Sequence, residues 1–493
     1  MQWLRKLAVP VLAGLILCFG LLAMVNGIQS RSLLLDEALF VRNVTKFPAG
    51  YFISMAPSAP LFYTLSYILM SLVGKSEWVF RLIPLVCAVA GVVLLSVHLG
   101  RHFSRLVSLV SMFLLAFSVP LVYYASNAHP YTADFLCSAA LLILTSRLTQ
   151  AFDNRTWIVW LAASFVAVVS SFSSFFVILS CSAVLLSIEI GQTDRRVLRM
   201  KAVGLAGLAA YMLLLVVLVF SKQAADHSEY QYWFDCFPPS RNPFALAKFT
   251  YFKTEQALGF LFFNDRNGLI GLFLSLLGTF YWVRRKKSSI ALLCWLPVVF
   301  TVLASFVQKW PYGPLRTVLF LLPFFLVLMA AGMELIWRTA TGTPSRTILV
   351  AAFCLLLLPQ SWMAKKAFVP AGDSEEAIKS LSTAMRPEIK NGDGFLVYYA
   401  AEVQFRFYFP QYINRAVFQP WSDRGNRSAL EAFVEKQAKG QQDRFWLVFS
   451  HTSESEDRIM ASAAEKFGRR VSSHAFQGCS AVLFEKGNGP PVP

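Results

Sequence analysis

The sequence runs to 493 residues, of which 56% are hydrophobic and only 15% charged, and its mean hydropathy is +0.53. Soluble domains carry roughly 25% charged residues, so this composition excludes an ordinary soluble enzyme and predicts a polytopic membrane protein. The net charge of +17 does not indicate nucleic-acid binding, because the basic residues stand in short clusters between apolar runs rather than along one face.

In chain order, Arg5 and Lys6 precede an apolar stretch at 7–26. The stretch is too long for a signal peptide and "AMVNG" is a poor cleavage site, which predicts an uncleaved first helix with a cytoplasmic N-terminus. "LLLDEALFVRNV" follows at 33–44, with Asp36 and Glu37 side by side. The segment 60–74 is apolar but short, so an interfacial or re-entrant helix is expected there rather than a span. Further spans are expected near 79–99, 105–125, 131–148, 156–171, 173–190, 202–220, 267–283, 289–307, 316–337 and 346–363, about eleven in all. With 60–74 kept at the surface, "GRHFSR", "RLTQAFDNR", "DRRVLRMK", "RRKK" and "RTATGTPSR" all fall in cytoplasmic loops, as the positive-inside rule requires.

The non-cytoplasmic side then receives a first loop (27–78), "YYASNAHPY", a long loop (221–266), "VQKWPYGPLR" and the region from 364 onward. That region changes character. "DSEEAIKSLSTAM", with Asp373 and Glu376 spaced as a capping box, "SALEAFVEKQAKG" and "SESEDRIMASAAEKFG" read as amphipathic helices. "GFLVYYA", "FWLVFS" and "SAVLFEK" read as strands. A membrane domain over 1–363 and a small extracytoplasmic α/β domain over 364–493 are expected. Most of the eight cysteines lie singly in apolar segments and no CxxC occurs, so no redox or metal motif is indicated.

Polar groups recur on the non-cytoplasmic side among aromatics. They are Asp36 and Glu37; Glu77 and Arg81; Tyr123, Tyr124, Asn127, His129, Tyr131 and Asp134; and Lys309, Trp310, Tyr312 and Arg316. Asp134 lies about one turn inside a span, where a carboxylate is costly unless it is paired or faces a cavity. The motifs holding these residues come in a particular order. An acidic "DE" follows the first apolar segment, "PSAPLFYTLSYIL" leads into the interfacial helix, and "GKSEWVFRLIP" precedes the next span. "YYASNAHPY" and "WPYGPLRTVLFLLP" come later.

This ordered set resembles the GT-C type membrane glycosyltransferases. It is most similar to the bacterial relatives of the protein O-mannosyltransferases and of the aminoarabinose transferases of lipid A, glycosyltransferase family 39-like, over about residues 5–340. It departs from them at Ser58-Ala59-Pro60, where the aminoarabinose transferases carry a charged residue before a proline pair. The resemblance implies a GT-C fold and transfer of a sugar from a polyprenyl-phosphate donor to a glycan, lipid or protein acceptor at the non-cytoplasmic face. Asp36 is then the expected base, against a bland reading as a helix cap. Glu37 is expected as a metal or acceptor contact, against a solvated acid paired with Arg42. Arg81, His129, Lys309 and Arg316 are the expected phosphate ligands, and Tyr131, Asp134 and Tyr312 the expected sugar contacts. Their bland readings are an ion pair of Arg81 with Glu77, a solvated histidine, anchors at helix ends and an aromatic belt. No cofactor is assigned, and a divalent cation at Asp36 and Glu37 is left open. Loop 221–266, with Trp233, Asp235, Arg241 and Lys253, is a candidate lid. The competing functions are a transporter or flippase of lipid-linked sugars, or a non-catalytic membrane scaffold. Against the former, the polar groups gather at one face and no internal repeat occurs.

Overall fold

The computed structural model describes residues 2–29, 31–46, 59–187, 201–214, 233–240, 242–263, 265, 267–358, 360–361, 365, 375–423, 425–441, 443–452 and 455–486. The chain forms two compact units. The first comprises Met1–Gly27 and Phe47–Val369, the second Ile28–Lys46 and Pro370–Pro493.

The first unit is built of apolar helices. Five are long and apolar enough to cross a bilayer: Val9–Ile28, Glu77–His102, Tyr131–Gln150, Ser288–Phe306 and Arg316–Thr339. Their 19–26 residues reach about 28–39 Å at 1.5 Å per residue, against a hydrocarbon core of about 30 Å. Arg105–Ala116 and Val119–Ala125 make a further span bent by 49°. Pro120 opens the second half, and the Ser118 hydroxyl at the break bonds the Leu261 carbonyl at 2.8 Å.

Each of the eleven expected spans falls on an apolar helix, but the number long enough to cross is lower than eleven. Among the described residues it is five, or six with the bent pair. Asn154–Ser170, Ser174–Ser187, Lys201–Leu214, Gly268–Arg284 and Thr343–Leu356 have 14–17 residues, as does Pro60–Val73 within the doubtful segment 60–74. The expected ends at 188–190, 215–220, 359 and 362–363 lie outside the described residues.

Exposed apolar stripes mark the lipid-facing sides. Val86, Val93 and Val97 are exposed on one helix, while Ala88, Val92, Leu95 and Leu99 of the same helix are buried. Such stripes are stable only against hydrocarbon, which makes this an integral membrane protein. Arg316–Leu321, a 3-10 turn, leads directly into Leu322–Thr339. Every side chain from Val318 to Met333 bar glycine is buried, so this helix is the axis of the unit. Pro243–Phe262 is also helical, within what the sequence predicts as a loop. Lys248, Lys253, Glu255 and Gln256 interrupt its hydropathy without interrupting its helical geometry.

The second unit contains a five-stranded mixed sheet of order β2-β1-β3-β5-β4, with β1 Gly394–Val397, β2 Ala416–Phe418, β3 Arg444–Ser450, β4 Arg469–Phe476 and β5 Cys479–Glu485. β1 runs parallel to β2 and β3, whereas β5 is antiparallel to β3 and β4. The expected helices appear at Ile378–Met385, Arg427–Gly440 and Glu456–Ala464. β2, β4 and the helix Glu402–Tyr408 had no counterpart in the sequence reading. β4 is an edge strand with largely exposed side chains, so it lacks the apolar alternation that marks a strand.

Two expectations are corrected here. Ile28–Lys46 was expected in the membrane domain with the rest of the first loop, but it belongs to the second unit. Its helix Leu35–Thr45 packs on Glu402–Tyr408, and side chains far along the chain bond its preceding backbone. Glu376 does not complete a capping box, because its helix begins only at Ile378. Its carboxylate bonds Leu35 instead, and Asp373 lies outside the described residues.

Candidate functional site

In the first unit, the polar and aromatic residues cluster because three segments are stitched together. The turn Phe234–Cys236 offers its Cys236 carbonyl to the Tyr312 N–H at 3.0 Å and to the Ser305 hydroxyl at 2.9 Å. This ties the loop after Ser288–Phe306 to the turn and holds Trp233 near the start of the 3-10 segment. The Arg316 guanidinium therefore lies 5.8 Å from the centre of the Trp233 ring and 5.5 Å from that of Tyr131. Both distances suit cation–π attraction. Tyr131 in turn lies 5.4 Å from the His129 ring and 5.1 Å from Tyr124, which stacks edge-on against Tyr123 at 5.0 Å. The cluster is a half-exposed arginine framed by aromatic faces, with an imidazole beside it.

Asp134 sits one turn beyond Tyr131 on the same helix and is 8% exposed. Ser171 and Ser173, whose hydroxyls lie 3.0 Å from each other, stand beside its carboxylate. A carboxylate in a span is stable only with such partners. The sequence signal for this position is "SSFSS", a serine cluster between two apolar runs. Thr132 ties this helix to the neighbouring Glu77–His102 by donating to the Pro84 carbonyl at 2.8 Å. Arg81, three residues before Pro84, is fully buried.

The remaining expected residues are placed differently. Tyr312 is fully buried, and its hydroxyl shares a hydrogen bond with Thr254 at 2.8 Å. That suits holding the loop against Pro243–Phe262 rather than stacking on a sugar. Gly313, at φ +153°, carries the chain past the Lys253 stem, where an added Cβ would stand 3.2 Å from Lys253 Cδ. Lys309 is exposed. Trp233 was noticed only as part of a possible lid, since 83 residues of sequence conceal its approach to Arg316. Part of that lid, 221–232 with Arg241, Asn264 and Arg266, lies outside the described residues.

Asp36 and Glu37 lie in the second unit, in the first turn of Leu35–Thr45. Their environments differ. Glu37 is fully buried; its Oε2 accepts the Leu34 N–H at 3.1 Å, and its Oε1 lies 4.0 Å from the Arg31 guanidinium. It caps its own helix and neutralises Arg31. Asp36 is half-buried. With both Glu37 oxygens engaged, the pair does not fit a divalent cation. Among the described residues, no group of three His, Cys, Asp or Glu side chains is arranged to hold one.

The fold is similar to that of solved GT-C type membrane glycosyltransferases. Residues 57–221 match the family described as dolichyl-phosphate-mannose-protein mannosyltransferase. ArnT from Cupriavidus metallidurans in the apo state is similar at a TM-score of 0.55 and 13% identity, over 98% of each chain. ArnT bound to undecaprenyl phosphate gives 0.55 and 13%, over 97% of this chain and 98% of that one. The apo oligosaccharyltransferase of Archaeoglobus fulgidus gives 0.56 and 12%, over 95% of this chain and 74% of that one. No curated protein matches the sequence.

Proposed function

We propose that this protein is a membrane glycosyltransferase that moves a sugar from a polyprenyl-phosphate donor to an acceptor hydroxyl at the non-cytoplasmic face of the plasma membrane. The observation that carries this reading is Arg316 framed by Tyr131 and Trp233. A fixed planar cation suits a phosphate, and aromatic faces suit a sugar ring or the first units of an isoprenoid. The similarity in fold to ArnT, one of whose structures holds undecaprenyl phosphate, supports the same class of donor.

In this reading Asp36 accepts the proton of the acceptor hydroxyl as its oxygen attacks the anomeric carbon. The bond from that carbon to the phosphate oxygen breaks, and polyprenyl phosphate departs carrying the bond's electron pair. Arg316 offsets the charge that gathers on the phosphate, with His129, Arg81 and Lys309 as further cations. Asp134 orients sugar hydroxyls from its serine-lined position. The second unit lies outside the cytoplasm, as the positive-inside reading of the loops requires.

Mass spectrometry of surface glycans and lipids, with and without the protein, tests the reading. A hexose or pentose increment should vanish when the protein is removed and stay absent with Asp36→Ala, while the variant still folds. Transfer undiminished in Asp36→Ala sinks the assignment of the base. An unchanged glycan and lipid profile on removal sinks the function.

A further inference from the structure

Of the residues just before Asp36, Leu33 and Leu35 are bonded by side chains from the far end of the chain, and Ser32 by a backbone N–H there. Leu33 donates its N–H to the Tyr408 hydroxyl at 2.8 Å, and its carbonyl accepts from Gln404 Nε2 at 2.8 Å. The Ser32 hydroxyl accepts the Lys379 N–H at 3.1 Å. Leu35 donates its N–H to Glu376 Oε2 at 2.7 Å, and the same oxygen accepts from Gln404 Nε2 at 2.5 Å. The other Glu376 oxygen meets His451 Nδ1 at 2.7 Å. Glu376 is 7% exposed and Gln404 fully buried.

The Leu35 N–H is among the donors that a helix leaves unpaired at its first turn. A carboxylate there satisfies the donor and meets the positive end of the helix dipole. Here the carboxylate comes from 341 residues away. Asp36 follows Leu35 directly, so its backbone has little freedom that these bonds do not remove. Glu37 and Glu376 satisfy the Leu34 and Leu35 donors of the helix start, but the bonds to Leu33 lie outside the helix's own unpaired donors. The additional bonds concentrate on the backbone leading to the acid.

We propose that Glu376, supported by Gln404 and Tyr408, is a positioning residue that sets where the Asp36 carboxylate stands. This rests on the reading of Asp36 as the base. A shift of about 1 Å in a catalytic group costs up to about a hundredfold in rate without weakening substrate binding.

The test uses the full chain in membranes, with total polyprenyl-phosphate sugars extracted from the host as donor. In Glu376→Ala, amide exchange over 31–40 should quicken, and the maximal rate should fall at least about tenfold. The donor concentration giving half-maximal rate should stay the same. Glu376→Gln should recover most of the rate, since an amide oxygen still accepts from Leu35 while the amide nitrogen faces His451. Asp393→Asn, which weakens the contacts of Asp393 with Arg444 and Trp446 elsewhere in the unit, should lower the melting temperature and leave the maximal rate alone. The proposal is overturned if Glu376→Ala leaves exchange and rate unchanged, if Glu376→Gln fails to rescue, or if Asp393→Asn slows transfer as much. Transfer that survives Asp36→Ala overturns the assignment of the base instead, and exchange over 31–40 still decides whether the clamp exists.

Discussion

Asp36 and Glu37 are neighbours in the chain, and the fold gives them opposite tasks. Consecutive positions on a helix point about 100° apart, so one side chain turns into the unit and the other away from its centre. Glu37, turned inward, spends its charge on Arg31 and the Leu34 N–H. Glu37→Gln should therefore act on stability, lowering it by about 1–3 kcal/mol because the buried Arg31 guanidinium loses one charged neighbour. Thermal unfolding measures this, and the transfer rate of the folded fraction should stay near normal. Asp36→Asn keeps size and polarity but cannot take a proton. It should reduce transfer by about 10²–10⁴-fold with an unchanged melting temperature. Arg316→Lys keeps the charge and loses the planar face that Tyr131 and Trp233 address. Donor affinity should drop by roughly fivefold, the worth of about 1 kcal/mol of cation–π attraction, which donor titration would register.

The axial helix Leu322–Thr339 and the neighbouring Gly268–Arg284 touch backbone to backbone. A Cβ at Gly278 would strike the Leu328 carbonyl, and one at Gly332 the Leu274 carbonyl. Apolar side chains gain little from one another in lipid, so close approach of small residues is how membrane helices bind tightly. Gly332→Val should force the pair apart at a cost of about 3 kcal/mol or more, seen as loss of folded protein in mild detergent. Gly207→Ala, on Lys201–Leu214, meets nothing within 4 Å and should be harmless in the same assay. The contrast separates a packing glycine from an incidental one, a distinction that residue type alone does not carry. The 20-residue helix Pro243–Phe262 is hidden in the sequence for a related reason: its polar residues lower its hydropathy below that of a membrane span. Helicity is set locally by propensity and backbone bonding, whereas hydropathy reports only what surrounds the helix.

Across the molecule, the basic clusters predict that the loop at Lys286 faces the cytoplasm and that the second unit does not. In a cysteine-free background, Lys286→Cys should resist a membrane-impermeant maleimide applied to intact spheroplasts, and Lys436→Cys should react. The reverse pattern would invert the topology. Both positions are exposed, so access rather than burial governs the result.

What could be read along the chain is what neighbouring residues determine. Apolar runs near the length of a bilayer became apolar helices, and the short continuous apolar run in "FWLVFS" became the central strand β3. The order of weak motifs pointed to a GT-C type fold, and the fold is similar to that of ArnT at 13% identity. Three things were not legible: the second unit's claim on Ile28–Lys46, the place of Trp233 beside Arg316, and the clamp on the backbone before Asp36. Each depends on hydrogen bonds or ring contacts between residues tens to hundreds of positions apart. Nothing in the spacing of Glu376, Gln404 and Tyr408 announces that they meet Leu33 and Leu35; only the packing of helix Glu402–Tyr408 against Leu35–Thr45 brings them there.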